Sequence, residues 1–356
     1  MRVLYFGTYE RRYPRNAQVI SSLRRAGVEV RERHESVWDA DEHKWNAGLA
    51  AAARLARAEL RLLTRPGAGA ADAVLVGYPG HLDLLAARRA AGKRPLVFNP
   101  LVSLVDTLVH DRGRFGARSP AARALEVLDR RALRAADLVV ADTAANAEYL
   151  AELAHLDETR IAVCFVGAEE RLFAPRGTPT ENGPVLFVGK LIPLHGVETV
   201  LAAARRAPDV LFRAVGSGQL EGPLRDRPAN VDWVRWIDYE RLPGELRAAR
   251  VALGVFGTSS KARRVIPNKA FQALACGVPL VTADTPAARE LLVDGESALL
   301  VPPGDPEALA AAVRRLVGDP DVAARIGRGG LAAYHAHASE DVLGRRWRGL
   351  LEKLLG

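Results

Sequence analysis

The chain has 356 residues, 49% of them hydrophobic, enough for two ordinary cores rather than one. Its net charge of +8 is spread evenly, 26 Lys/Arg against 22 Asp/Glu in residues 1–175 and 24 against 20 in the remainder, so the excess marks no nucleic-acid-binding domain. No apolar run reaches the roughly 18 residues of a membrane span, Met1 to Phe6 leads into a strand pattern rather than a signal-peptide core, and Cys164 and Cys276 lack metal-type spacing; a cytoplasmic protein with buried free thiols and no metal site is expected.

Apolar runs at 3–6, 28–31, 73–76, 96–98, 138–141 and 162–165 predict strands, with helices at 16–25, 47–63 and 120–135. The first strand opens onto a polar loop, Gly7 to Asn16, whose Arg15-Asn16 is either a ligand contact or solvated. Around the helix at 120–135, Arg112, Arg114, Arg118, Arg123, Arg130, Arg131 and Arg134 are opposed only by Glu126 and Asp129. That cluster is a solvated face, or it meets anionic lipid headgroups at about 1 kcal/mol per cation. After the turn-rich stretch 174–184 the pattern restarts, with strands at 185–188, 211–215, 231–234, 251–254, 280–282 and 298–301 and helices at 197–206, 239–249, 269–275 and 306–317. Leu343, Trp347, Leu350, Leu351 and Leu354 give a last helix within 339–355. The fold class read from this is α/β: two doubly wound Rossmann-like domains, 1–175 and 183–335, facing a ligand cleft, with 336–356 a helix packing across the interface.

The stretch FVGKLIPLHG, residues 187–196, ends an apolar run at Gly189 and presents Lys190, then His195-Gly196 where the next helix begins. A glycine for close approach, a point charge, an imidazole and helix-start N–H groups suit a diphosphate. It is not a Walker A loop, because Leu191 replaces the Ser/Thr and Gly183 is one residue too far away. Nor is Gly216-Ser217-Gly218-Gln219-Leu220-Glu221 a dinucleotide fingerprint, since its third glycine is Glu221.

FVGKLIPLHGVETVLAAA, RAVGSGQLEGPL, VRWIDYERLPGELRAARVALGVF and IPNKAFQALACGVPLVTADTPAARELLVDGESALLVPPGDPEALAAAV, in this order, resemble the C-terminal domain of GT-B-fold glycosyltransferases of the GT4 type. ALRAADLVVADTAANAEYL and VGAEERLFAP resemble the end of the family's N-terminal domain and its linker. The resemblance implies transfer of a sugar from a nucleoside-diphosphate-sugar donor to a saccharide or lipid-linked acceptor, with no further cofactor, no metal and mostly retained configuration, in cell-envelope or polysaccharide work. Lys190 then stands where the family has a diphosphate-binding arginine and His195 where it has a lysine. Gly216 and Gly218 occupy the turn that passes the nucleotide, and Trp236-Ile237 falls where the base is held, although Trp233 and Trp236 read equally as core aromatics.

The departures are in IPNKAFQALACG, where Gln272 and, eight residues earlier, Arg264 replace two glutamates of the family. Gln272 can still donate to and accept from a vicinal diol. Asn268 and Lys269 at the helix start can hold phosphate oxygens, or simply cap the helix. The family's His-Asp acceptor motif is missing after 95–98; Asp106 and His110, four apart and on one helical face, are the nearest substitutes or else a surface pair. Asp39-Ala40-Asp41 is similar to the metal-binding pair of GT-A transferases but follows no apolar run, and is discounted. A non-catalytic nucleotide-sugar-binding protein and a nucleotide-sugar epimerase on the same fold remain alternatives; peripheral contact with the inner face of the membrane remains open.

Overall fold

The computed structural model describes residues 1–11, 13–37, 49–64, 67, 69–175 and 183–356. Asp39 and Asp41, the start of the helix expected at 47 and most of the stretch 174–184 lie outside them. The chain divides into two compact units, Met1–Val166 with Glu340–Gly356, and Gly167–Ser339. The expected boundaries, 175/183 and 335/336, therefore differ from those observed, and the last segment is part of the first unit.

The first unit runs β1 (Arg2–Gly7), α1 (Pro14–Arg25), β2 (Glu29–His34), α2 (Leu49–Thr64), β3 (Ala73–Val76), α3 (Leu84–Ala91), β4 (Leu96–Phe98), α4 (Pro120–Ala135), β5 (Leu138–Ala141), α5 (Ala144–Ala154) and β6 (Ile161–Val163). Its six strands are parallel in the order β2-β1-β3-β4-β5-β6. Side-chain alternation divides the sheet. Leu4, Phe6, Val74, Val76 and Phe98 face α2 to α5, while Val3, Tyr5, Leu75 and Val97 face α1 and the closing helix.

The second unit runs β7 (Val185–Val188), α6 (Val197–Arg206), β8 (Phe212–Val215), α7 (Gly222–Arg225), β9 (Val231–Val234), α8 (Leu242–Ala248), β10 (Val251–Leu253), α9 (Asn268–Ala275), β11 (Leu280–Ala283), α10 (Pro286–Arg289), β12 (Leu299–Val301), α11 (Pro306–Gly318) and α12 (Pro320–His337). Here too all strands are parallel, in the order β12-β11-β10-β7-β8-β9. Val185, Phe187, Val251 and Leu253 pack against α6 and α11; α9 and α12 pack together. Helix starts carry their own caps: Ser119, Thr143, Thr285, Asp305 and Asp319 each accept a first-turn N–H, and proline follows at once in four of the five.

Three differences from expectation have local causes. β2 continues to His34 because, as an edge strand, it keeps charged residues half in solvent; Glu32 accepts from Tyr9 Oη at 2.7 Å and from Arg24 at 3.0 Å. The helix expected at 239–249 opens with a 3-10 turn at Tyr239–Arg241 before Pro243 starts α8. α12 escapes sequence reading because Gly327, Gly329 and Gly330 dilute its helical signal.

The closing helix α13 (Glu340–Leu355) buries Leu343, Trp347 and Leu351 in the core beneath α1. Under it, Arg15 is fully buried. Its Nε donates to Asn99 Oδ1 at 2.9 Å and its Nη1 to the carbonyls of Cys164 and Phe165 at 2.9 and 2.7 Å, and its guanidinium lies 5.8 Å from the Trp347 ring centroid. Asn16, equally buried, accepts from Tyr5 Oη at 2.8 Å and from the Tyr78 amide at 2.9 Å. Arg15-Asn16 is thus an internal brace, neither a ligand contact nor solvated, since α1 begins at Pro14 and turns both side chains into the sheet. Trp347→Ala is expected to cost about 3–5 kcal/mol, read as a lower denaturation midpoint of the first unit; an unchanged midpoint would mean that α13 contributes little to this core.

Candidate functional site

In the second unit β7 lies between β10 and β8, so the segments leaving these three strands meet at one end of the sheet. Gly189 and Gly216, the residues after β7 and β8, both have φ near +148° (148° and 147°). A Cβ on Gly216 would overlap the Gly189 carbonyl oxygen, so backbone touches backbone where only glycine fits. Hydrogen bonds lock the two loops: Gly189 N to Val215 O, Leu191 N to Ser217 O and Leu220 N to Leu191 O, each 2.9 Å. Trp233 Nε1 donates to the Gly216 carbonyl at 2.9 Å, and Glu221 accepts from the Gly218 amide at 3.0 Å while pairing with Arg235 at 3.0 Å. Of the two tryptophans, Trp233 is this brace; Trp236 is 62% exposed, with Ile237 half-buried beside it.

His195 ends the 3-10 turn Pro193–His195, and Gly196 leads into α6. Its Nδ1 lies 2.5 Å from the Lys190 carbonyl, which can only accept, so Nδ1 carries the hydrogen. Nε2 is then an acceptor in the neutral ring and a donor only in the imidazolium, the form a phosphate oxygen requires. Lys190 itself is exposed.

α9 starts at Asn268 with no side chain capping its first turn. Lys269 is 9% exposed; its Nζ sits 3.8 Å above the Phe187 ring centroid and has no hydrogen-bond partner. A Cβ built on Gly189 would touch both this Nζ, at 3.7 Å, and the His195 ring. Burial lowers the Lys269 pKa well below that of an ordinary lysine. One turn on, Gln272 is buried, its Nε2 donating to Tyr239 Oη at 3.3 Å. Burial first, and the Glu169 carboxylate second, raise the Tyr239 pKa. Arg264 is half-buried on the 3-10 turn Ala262–Arg264 that precedes α9.

The structure therefore brings Gly189, His195 and Lys269 into contact, sets Gly216 and Gly218 against their loop, and leaves Gln272 on the same helix with a tyrosine partner. Tyr239 and Glu169 were not read from sequence; the adjacency of WIDYERLP to IPNKAFQ exists only once β9 and α9 are placed.

In the first unit, Asp106 and His110 lie on a π-helical turn, Asp106–Asp111, closed by Arg112 N to Thr107 O at 3.1 Å. Asp106 is buried and His110 exposed, so they are not the surface pair that the spacing allows. The more organised group, also missed from sequence, is buried Asp129, which accepts from Ser103 Oγ at 2.8 Å and the Leu104 and Val105 amides at 2.9 Å, with His81 Nε2 at 3.2 Å. Burial lowers the His81 pKa, partly offset by Asp129. Four partners on one carboxylate pin the start of the π turn.

Lys269 has a lowered pKa in the folded chain and one near 10.4 when unfolded. Between those values the unfolded chain holds the extra proton, so unfolding free energy rises with pH, by at most about 1.4 kcal/mol per pH unit. Lys269→Met is expected to flatten this slope and stabilise the protein at neutral pH; identical pH–stability curves for the two proteins would refute the burial of the amine.

Residues 183–319 match the family model for glycosyl transferases group 1. The lipopolysaccharide core biosynthesis glycosyltransferase LpsE of Rhizobium meliloti is 25% identical over 200 residues, 55% of this chain and 58% of that protein. The D-inositol 3-phosphate glycosyltransferase of Acidothermus cellulolyticus is 30% identical over 251 residues, 62% of this chain and 53% of that protein. The chain thus spans somewhat more than half the length of these two relatives. Among solved structures, sucrose-phosphate synthase from Thermosynechococcus elongatus superposes with a TM-score of 0.75 at 19% identity, covering 99% of this chain and 98% of that one. Anabaena HepE in complex with UDP and glucose gives 0.71 at 16% identity, covering 99% and 100%. Both superpositions extend over nearly the whole chain and show the GT-B fold, two parallel six-stranded α/β units, and within it residues 183–319 are similar to the group 1 glycosyltransferases.

Proposed function

We propose that the protein transfers a sugar from a nucleoside-diphosphate-sugar to a saccharide or lipid-linked acceptor, without a metal ion or further cofactor and with retention of configuration, on the cytoplasmic side of the cell envelope. The observation that carries this reading is Lys269: an amine this buried, without a partner and against a glycine that leaves room beside it, is costly unless an anion completes it. A departing nucleoside diphosphate is such an anion. Lys269, Lys190, protonated His195 and the open first turn of α9 supply the charge that a metal would otherwise bring.

HepE has been solved with UDP-glucose, which supports the donor class, and the Rhizobium relative's role in lipopolysaccharide core biosynthesis supports a saccharide acceptor. Retention rests on the family resemblance. Gln272, bonded to Tyr239, offers its amide oxygen to a ribose diol in place of a carboxylate. Of Asp106 and His110, only His110 has the exposure to meet an acceptor.

The test is thermal stabilisation by UDP, GDP, ADP and TDP and their sugar conjugates, in the wild type and in Lys190→Ala/Lys269→Ala. A ligand at 100 times its Kd should stabilise by about 2.7 kcal/mol, and the double variant should lose most of that gain. No stabilisation by any nucleotide would sink the reading. Stabilisation without sugar transfer or donor hydrolysis in the presence of a chelator would favour a binding protein that has lost catalysis, for which Gln272 and Arg264 are the motivating residues.

A further inference from the structure

The layer formed by α2, α3 and α4 over one face of the first sheet has an unusual outer surface. α3 packs against both neighbours, so the outward faces of the three helices are contiguous. Four of the eight large apolar side chains that are exposed among the described residues project from this layer: Leu60 on α2 (61%), Leu82 before α3 (46%), Leu85 on α3 (73%) and Val127 on α4 (45%). Arginines alternate with them. Arg57 and Arg61 flank Leu60, Arg89 lies one turn from Leu85, and Arg123 and Arg131 stand one turn to either side of Val127.

Nine arginines and three acids lie on these helices; Arg61 and Arg88 pair with Glu35 and Asp137 of neighbouring segments, and none of the three acids opposes Arg57, Arg89, Arg123 or Arg131. Asp129 is buried in its own bonds and Glu126 is paired with Arg130. Glu59 is held protonated at neutral pH, its pKa pushed up to about 10 by burial and by the neighbouring Asp83 carboxylate. The helices carry no aromatic side chain on which a base could stack. A nucleic acid would leave the leucines in water, whereas a lipid interface takes both the leucines and the cations.

We propose that the outer face of α2, α3 and α4 is a docking surface for an anionic phospholipid bilayer, seated by Leu60, Leu85 and Val127 among the arginines. It holds the first unit at a membrane without a spanning segment, and it stands whether or not the donor reading does.

The experiment is co-sedimentation of the full chain with vesicles of phosphatidylcholine, with and without phosphatidylglycerol. Binding is expected to the anionic vesicles alone and to fall away near 1 M salt, where the Debye length is about 3 Å. Arg57→Glu/Arg131→Glu should weaken binding by at least about tenfold, since each cation near such a surface contributes about fivefold. Leu60→Ser/Leu85→Ser should weaken it by a comparable factor without changing the salt dependence. All four positions are exposed, so thermal melts should match the wild type, and the Lys190→Ala/Lys269→Ala variant should bind vesicles normally, which separates this surface from the donor site. Equal binding to neutral vesicles, no binding to anionic ones, or anionic binding that either double variant leaves intact would overturn the proposal. Retention on duplex DNA without vesicle binding would assign the arginines to nucleic acid and overturn it equally.

Discussion

Everything at the candidate site follows from one steric constraint, the backbone contact between Gly189 and Gly216. Parallel neighbours such as β7 and β8 release their loops side by side; a side chain on Gly216 would wedge the loops apart, and one on Gly189 would strike the His195 ring. With both reduced to glycine, Leu191 can bond Ser217, the Lys190 carbonyl turns to His195, and the ring comes to rest beside Gly189. β10, the other neighbour of β7, leads into α9 and delivers Lys269 to the same point. The strand order reverses about β7, so topology brings these segments to one place and the two glycines let them close on one another.

The two deeply buried cations show how partners decide a role. Arg15 gives Nε to Asn99 and Nη1 to two carbonyls, and its planar fork joins the ends of β4 and β6 to the helix that carries it. Lys269 is buried almost as fully, yet its Nζ lies over the Phe187 ring and beside Gly189 with no hydrogen-bond partner. The first arrangement is tied down through Nε and Nη1, although Nη2 has no hydrogen-bond partner. The second leaves a buried amine with its hydrogen-bonding capacity unused, held in place by the packing of Phe271 and Leu274 on the same helix.

The architecture was legible in sequence because buried parallel strands read as unbroken apolar runs, as 73–76 and 185–188 do. Edge strands and glycine-bearing helices were less so: β2 alternates charges, and α12 hides behind three glycines. At the site, Gly189, His195 and Lys269 could be read because each sits at a strand end or helix start, positions that sequence marks. Tyr239 beside Gln272, and His81 beside Asp129, could not, since each pair joins segments far apart in the chain. The π turn shows another limit. Spacing does not tell how deeply each residue of a turn is buried, and here Asp106 is covered while His110 is exposed.

The return of α13 to the first unit sets the order in which the chain can mature. Residues 1–166 emerge first during synthesis, yet the sheet face bearing Val3, Tyr5 and Leu75 has α1 but not α13 over it until residues 340–355 have been made. The second unit, contiguous from 167 to 339, can close before the first does. The usual N-to-C sequence of domain folding is therefore reversed at its last step, and the half-covered face is the surface that a chaperone or a neighbouring nascent chain would meet.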